Sequence, residues 1–298
     1  MGRRGVWTGL RLRQISLLLR RLGLHVSPNT VRRLLKTLGY ALHANRKSLC
    51  QSPPERDRQF RYIASQRRRF AQQQAPIISV DTKKRELVGN FKNAGQVWSR
   101  EPIRVFDHDF RSLGQGVAIP YGVYDLAANR GLVNVGVSSN TPAFAAESIR
   151  RWWLSDGRRR YPRANRLLIL ADNGGSNGAD TRLWKHALQE RLADAFGLFV
   201  TVCHYPTGAS KWNPVEHRLF SEISKQWAGV PLVDHPTVVR LIRQTQTASG
   251  LAVACSLDTR SYPKAIKLAP EQIARISLYK PAVLPQWNYT PLPNQNRN

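Results

Sequence analysis

Near the start of the chain, apolar residues recur twice at helical spacing. Ile15, Leu18, Leu19 and Leu22 form one set, and Val31, Leu34, Leu35 and Leu38 the other, each at i, i+3, i+4 and i+7. The spacing predicts two short amphipathic helices joined by a tight turn after Gly23. Ser27 is placed to cap the second helix, Pro28 suits its first position, and Gly39 can close it. A linker is expected over 40–52. Ser52-Pro53-Pro54 then starts a third helix with Phe60, Ile63 and Phe70 on one face and Arg67-Arg68-Arg69 near its end.

From Pro76 the period shortens. A strand is predicted over 77–83, followed by a polar insertion holding Phe91, Trp98 and Phe106, and then by a hairpin of VAIPYGVYDL and GLVNVGVSS. Thr141-Pro142 opens a helix that runs through Trp152 and Trp153. ANRLLILA reads as a fourth strand, SNGADTRLWKHALQERLADAFG as a helix and LFVTVCHYP as a fifth strand, and Asn213 starts another helix. The order β-β-β-α-β-α-β-α predicts an α/β, ribonuclease H-like fold, a mixed five-stranded sheet flanked by helices. The expected organisation is a helix-turn-helix segment over 1–50, a linker helix over 51–75, and the sheet domain with a C-terminal extension over 76–298. The last dozen residues, rich in Pro and Asn, read as loose.

Charge changes the picture more than composition does. Lysine and arginine number 46 against 19 aspartates and glutamates, a formal net charge of +27, which points to a polyanionic partner. Residues 1–72 hold 17 basic and 2 acidic side chains, so the front of the chain is the expected docking segment. Asn29, Arg32, Arg33 and Lys36 lie off the apolar stripe of the second helix. In a helix-turn-helix, that helix enters the DNA major groove; an ordinary helical hairpin with solvated charges has the same spacing. At 42% hydrophobic residues, the chain has the material for a core. No apolar run approaches the roughly 18 residues of a membrane span, and no signal peptide is evident, so a soluble intracellular protein is expected. Three cysteines, Cys50, Cys203 and Cys255, have no metal-ligand spacing.

Three acidic residues stand out against this basic background: Asp81 in IISVDTKK, Asp172 in LLILADNGG and Glu216 in SKWNPVEHRLF. The aspartates end apolar runs, and both also have turn chemistry around them. Glu216 has a structural alternative as the last member of a capping box begun by Asn213 and Pro214. Yet Glu216, Leu219, Phe220, Ile223 and Trp227 share one helix face, and burying an unpaired carboxylate costs more than a cap returns. With the expected topology, all three meet at one end of the sheet. Such a set suits two Mg²⁺ ions roughly 4 Å apart, the arrangement that serves in-line phosphoryl displacement. Lys83, Lys84, Lys211 and Arg218 are near the three in sequence and are candidate phosphate contacts. His204 and His217 flank the site, with a structural role the better reading for both. Asp107-His108-Asp109 and Asp125 are rival metal ligands in expected loops.

ISVDTKKRELVGNFKN, IPYGVYDL, ESIRRWW, ADNGGSNG, CHYPTGASKWNPVEHRLFS and LDTRSYPKAIK together resemble the Rhodopirellula-type DDE transposases of bacterial insertion sequences, from about residue 14 nearly to the end. The resemblance implies a ribonuclease H-like catalytic domain that depends on Mg²⁺, with Mn²⁺ as a substitute. It also implies cut-and-join chemistry on transposon ends, a homo-oligomer in the DNA complex, and a bacterial, nucleoid-associated location. The DDE positions fall on Asp81, Asp172 and Glu216. Family members carry more sequence before the helix-turn-helix, which implies a copy shortened at its N-terminus. Two other classes keep parts of the pattern. A nuclease without strand transfer would keep the carboxylates and not need the first helices, whereas a DNA-binding remnant would keep the helices and tolerate loss of the carboxylates.

Overall fold

The computed structural model describes residues 8–42, 55–107 and 111–294. The chain forms two compact units, Met1–Ser52 and Pro53–Asn298. Cys50, His108 and Asp109 lie outside the described residues.

In the first unit, α1 (Leu12–Arg21) and α2 (Pro28–Thr37) form the predicted pair. Ser27 caps α2 by accepting from the Thr30 N–H at 3.1 Å. Both helices end alike on a left-handed glycine, Gly23 (φ 81°) and Gly39 (φ 78°). The next amides, Leu24 N–H and Tyr40 N–H, reach back to the carbonyls of Leu19 and Leu35. The apolar stripe is only half covered. Val31 is buried and Ile15, Leu19 and Leu35 are half-buried, but Leu18, Leu22, Leu34 and Leu38 remain exposed, because two ten-residue helices cannot enclose both stripes.

The second unit opens with α3 (Glu55–Gln72), followed by β1 (Ile77–Thr82), β2 (Glu86–Val88), β3 (Gly116–Asp125) and β4 (Arg130–Gly136). Helix α4 (Pro142–Trp152) passes through a π-turn into the short α5 (Arg158–Arg160). Next come β5 (Arg166–Asp172), α6 (Arg182–Leu188) and β6 (Phe199–Tyr205). The remainder comprises α7 (Ser221–Gln226), α8 (His235–Arg243), β7 (Ala252–Asp258), α9 (Pro270–Ala274), β8 (Leu278–Tyr279) and β9 (Asn288–Pro291).

The five expected strands lie in the order β4-β3-β1-β5-β6. β1, β3 and β4 form an antiparallel meander, while β5 joins β1 in parallel and β6 joins β5 in parallel. The sheet is larger than the five strands expected from the sequence. β7 extends it in parallel beyond β4, β9 and β8 extend it beyond β6, and β2 pairs with β3, giving nine strands. The C-terminal stretch expected to be loose therefore contributes β9, whose Asn288 exchanges side-chain amide hydrogen bonds with Gln59 of α3 at 2.7 and 2.8 Å.

Alternation along the strands builds two cores, one on each face. Ile78, Val80, Tyr121, Val123, Ile169 and Ala171 face α4 and α6. On the other face, Tyr124, Val133 and Val135 meet the helices that follow Asn213, and Leu168, Leu170 and Tyr205 meet Ile63 and Phe70 of α3. The LDTRSYPK motif is structural. Asp258 is held by Arg260, Arg151 and the Tyr262 hydroxyl, and these charge-assisted bonds hold its carboxyl below the usual range despite burial. Buried Glu147 of α4 is reached by Arg191 at 2.8 Å and Arg260 at 3.0 Å, which ties the motif to the core helices. Among the described residues, no helix is long and apolar enough to cross a membrane.

Candidate functional site

Strand pairing brings the two aspartates together. β1 and β5 run parallel with Val80 opposite Ala171, so Asp81 and Asp172 are the next residues on neighbouring strands, about 4.8 Å apart across the ladder. Alternation puts both side chains on the face of Ser79, Leu168 and Leu170, the face covered by α3 and the helix beginning at Pro214. Neither carboxylate is consumed by a turn. Strand β1 continues through Thr82, whose N–H donates to Asp81 Oδ1 at 2.7 Å. After Asp172, the side chain of Asn173 fastens the loop by accepting from the Ala179 N–H.

Glu216 arrives by side-chain fastening. Ser79 of β1 accepts from the Val215 N–H at 2.9 Å, so a strand residue caps the start of this helix. The Ser79 hydroxyl donates to Asn213 Oδ1, which turns the Asn213 amide nitrogen toward Asp172 Oδ1 at 2.9 Å and the Val80 carbonyl at 3.4 Å. The capping-box alternative for Glu216 is not what forms, because the Asn213 N–H donates to the Ser210 carbonyl. The helix then passes through a π-turn, Glu216–Phe220, whose Leu219 and Phe220 are buried.

Close approach of this helix to the sheet depends on glycine. Gly122 lies opposite Asp81 on β3. A Cβ there would come within 2.6 Å of the Phe220 ring and 3.0 Å of Val215. Gly131 on β4 meets Leu219 in the same way, at 2.5 Å. Ser79, Gly122 and Asn213 thus shape the site without having been singled out as site residues by sequence reasoning. A glycine inside an otherwise apolar strand was the signal for Gly122.

Electrostatics record the crowding. Burial, then the Asp172 carboxylate and the neighbouring Glu216 carboxyl, which is within hydrogen-bonding reach, push Asp81 up to about 8. Asp172 is also raised, by burial and by Glu216, against the lowering effect of the Asn213 amide. These are conditions in which a cation would be favoured, and three hard oxygen donors fit magnesium or manganese. Among the described residues, no three His, Cys, Asp or Glu side chains already form a metal-holding group.

The other predicted residues divide. Asn29, Arg32, Arg33 and Lys36 are all exposed on α2. Lys84, Lys211 and Arg218 are exposed, whereas Lys83 is engaged, paired with Glu86 at 3.3 Å and lying 4.8 Å over the Trp227 ring. His204 is buried on the opposite face, bonded to the Tyr289 hydroxyl at 2.9 Å and the Asp172 carbonyl at 3.1 Å, and burial lowers it to about 4. It is a structural histidine; His217 is exposed. Asp125 is at the other end of β3, its oxygens taken by the Tyr161 hydroxyl and the N–H groups of Ala127 and Ala128, so it is no metal ligand. Asp107 is exposed.

Solved structures similar to this chain include the Mos1 transposase paired-end complex with left transposon end, at 14% identity and a TM-score of 0.46, and the Mos1 strand transfer complex, at 15% and 0.46. A Mos1 mariner paired-end complex with Mn is similar at 14% and 0.42. Each match covers 80% of this chain and 72% of the other. No curated protein matches the sequence. The family described as Rhodopirellula transposase DDE domain matches residues 3–293, and the chain belongs to it.

Proposed function

We propose that this chain is a divalent-metal-dependent DNA transposase that cleaves the ends of its element and joins them to target DNA. The observation that carries the reading is the side-by-side placement of Asp81 and Asp172 on paired parallel strands, with Glu216 drawn beside them by Ser79 and Asn213. Family membership supports the same reading.

In this reading, Asp81, Asp172 and Glu216 would hold two Mg²⁺ ions, or Mn²⁺ in their place. When bound, the ions supply Lewis acidity at the scissile phosphate and lower the pKa of the attacking water. The chain's own residues do the rest. The strand ladder fixes both aspartates before substrate arrives, and Asn213 fixes the rotamer of Asp172, so little reorganisation remains for the reacting complex. Water attacks the phosphodiester at the element end and frees a 3′-hydroxyl. That hydroxyl then attacks a target phosphodiester, displacing another 3′-oxygen, with no covalent bond to the protein. Lys84, Lys211 and Arg218 offer exposed cations to DNA phosphates. Asn29, Arg32, Arg33 and Lys36 offer one face of α2 to the terminal repeats. Two ends must be held together for joining, so a homo-oligomer on DNA is part of the proposal.

The test uses labelled duplexes carrying the terminal repeats, target plasmid and Mg²⁺. Cleaved 3′ ends and joined products are expected with the unaltered chain. Asp81→Ala and Asp172→Asn should lose both while still binding DNA. Unchanged cleavage in Asp81→Ala would remove the catalytic assignment, and cleavage without joining would reduce the activity to that of a nuclease.

A further inference from the structure

The sheet face that carries the two aspartates also carries a groove with a different chemistry. It lies between α3 and the turn Ser210–Trp212 that precedes the Glu216 helix. One part, about 330 Å³, is bounded by Arg67, Lys211, Trp212 and Arg218 over a floor that includes Leu126 and Pro214. A second hollow of about 460 Å³ shares Arg67 and Leu126 with it and continues past Arg68 over alanines. The Leu126 N–H donates to the Ile77 carbonyl, at the end of β1 remote from Asp81. The four residue steps from Ile77 to Asp81 correspond to about 13 Å of strand, so the groove leads away from the carboxylates along the sheet.

No carboxylate lines either part. Among the described residues, none of Arg67, Arg68, Lys211 and Arg218 is in an ion pair. Trp212 is 46% exposed. Its ring is braced edge-on by Phe60, with centroids 6.3 Å apart and planes at 73°, and the Lys211 ammonium stands 4.2 Å from its centroid. A braced aromatic ring and an apolar floor inside a cationic rim match the two halves of a nucleotide separately. Bases stack on the ring and floor, and phosphates meet the rim. A duplex turns its phosphates outward and hides its base faces, so it would leave Trp212 unused.

We propose that this groove holds a single unpaired DNA strand leaving the carboxylate site, with one base stacked on Trp212. Taking DNA as the ligand rests on the transposase reading; the single-stranded form is the new element. A base would displace the Lys211 ammonium from the ring and leave it for a neighbouring phosphate.

The test is anisotropy titration of the full chain in EDTA, so that no cleavage intervenes, against a short fluorescent oligonucleotide and its duplex. Trp212→Ala should weaken single-strand binding by roughly 5- to 100-fold, with Trp212→Phe close to wild type. Duplex affinity should stay within about twofold. Quenching of 2-aminopurine in the strand should be lost in Trp212→Ala and kept in Trp212→Phe. Arg67→Ala should lower the salt slope for the single strand by about 0.7. Single-strand affinity unchanged in Trp212→Ala, equal losses on strand and duplex, or tighter binding of the matching oligoribonucleotide would each overturn the proposal. So would a loss in both Trp212 variants at unaltered melting temperature. The two readings fail separately. Loss of strand affinity in Trp212→Ala by a chain that never cleaves element ends would keep the groove and remove the transposase, and normal cleavage with unaltered strand binding would do the reverse.

Discussion

Asn213 is the residue whose removal tests the site most directly. Its side chain donates to Asp172 at 2.9 Å, accepts from Ser79, and makes a longer contact of 3.4 Å to the Val80 carbonyl, all with no exposed surface of its own. A hydrogen bond to a charged acceptor is worth about 2 kcal/mol and a neutral one about 1 kcal/mol, and the stranded Ser79 hydroxyl adds a desolvation cost of about 1 kcal/mol. Asn213→Ala should therefore destabilise by about 4 kcal/mol. Ser79→Ala removes the cap on Val215 and the same partner of Asn213, at about 2 kcal/mol. Because the two residues share a bond, the double variant should fall short of additivity by about 1 kcal/mol. Urea denaturation of the four proteins measures this. Asn213→Asp is the functional counterpart, since it keeps the shape and the acceptor for Ser79 but sets a fourth carboxylate against Asp172. It should abolish end cleavage or demand far more Mg²⁺ while costing less stability than Asn213→Ala. Stability of Asn213→Ala within about 0.5 kcal/mol of wild type, or strict additivity with Ser79→Ala, would refute the shared network.

Gly122→Ala drives a methyl to 2.6 Å from the Phe220 ring. Overpacking should cost about 1–3 kcal/mol, and displacement of Glu216 should reduce cleavage beyond what the melting temperature explains. Glu147→Ala leaves Arg191 and Arg260 without their buried partner and should lose about 3–5 kcal/mol in urea, with little effect expected from Glu222→Ala, whose ion-pair partner Lys225 is exposed. Between the unfolded value near 3.8 and the folded value of about 8, Asp81 keeps a proton in the fold that the unfolded chain releases. Stability in EDTA should therefore fall as pH rises through that window, flatten in Asp81→Asn, and recover at pH 8 on adding Mg²⁺; urea midpoints at pH 5 and 8 check all three.

The strands that hold the aspartates were legible because each is a continuous apolar run, and their order follows from alternation with helices. β7 and β9 were not. The stretch Ala252–Asp258 is only partly buried, and Asn288–Pro291 contains polar residues and a proline that read locally as loop. Both acquire strand geometry by pairing with edges that already exist, β4 and β6. At the site, residue types pointed to Asp81, Asp172 and Glu216. The functions of Ser79 and Asn213 could not be read the same way, because their bonds span 134 and 136 residues of sequence. Asn213 before Pro214 looks locally like a helix cap, and tertiary structure gives that task to Ser79. Lys83 shows the converse. Its position beside Asp81 suggested a phosphate contact, but Glu86 and Trp227 occupy it.

The three carboxylates owe their positions to different forces, and this sets how each can fail. Asp81 and Asp172 are fixed by main-chain pairing at the centre of the sheet, so displacing either means breaking the β1–β5 ladder and the cores on both faces. Glu216 has no such ladder. Its place depends on one hydroxyl, one amide and two glycines that let Phe220 and Leu219 sit down on β3 and β4. The third carboxylate is therefore the adjustable member, and the π-turn in which it sits gives the helix local slack there. Any side-chain adjustment on metal binding falls most cheaply on Glu216, which moves without disturbing the sheet. Substitutions at Ser79, Asn213 and Gly122 should consequently change metal affinity and cleavage together, and leave the strand order intact.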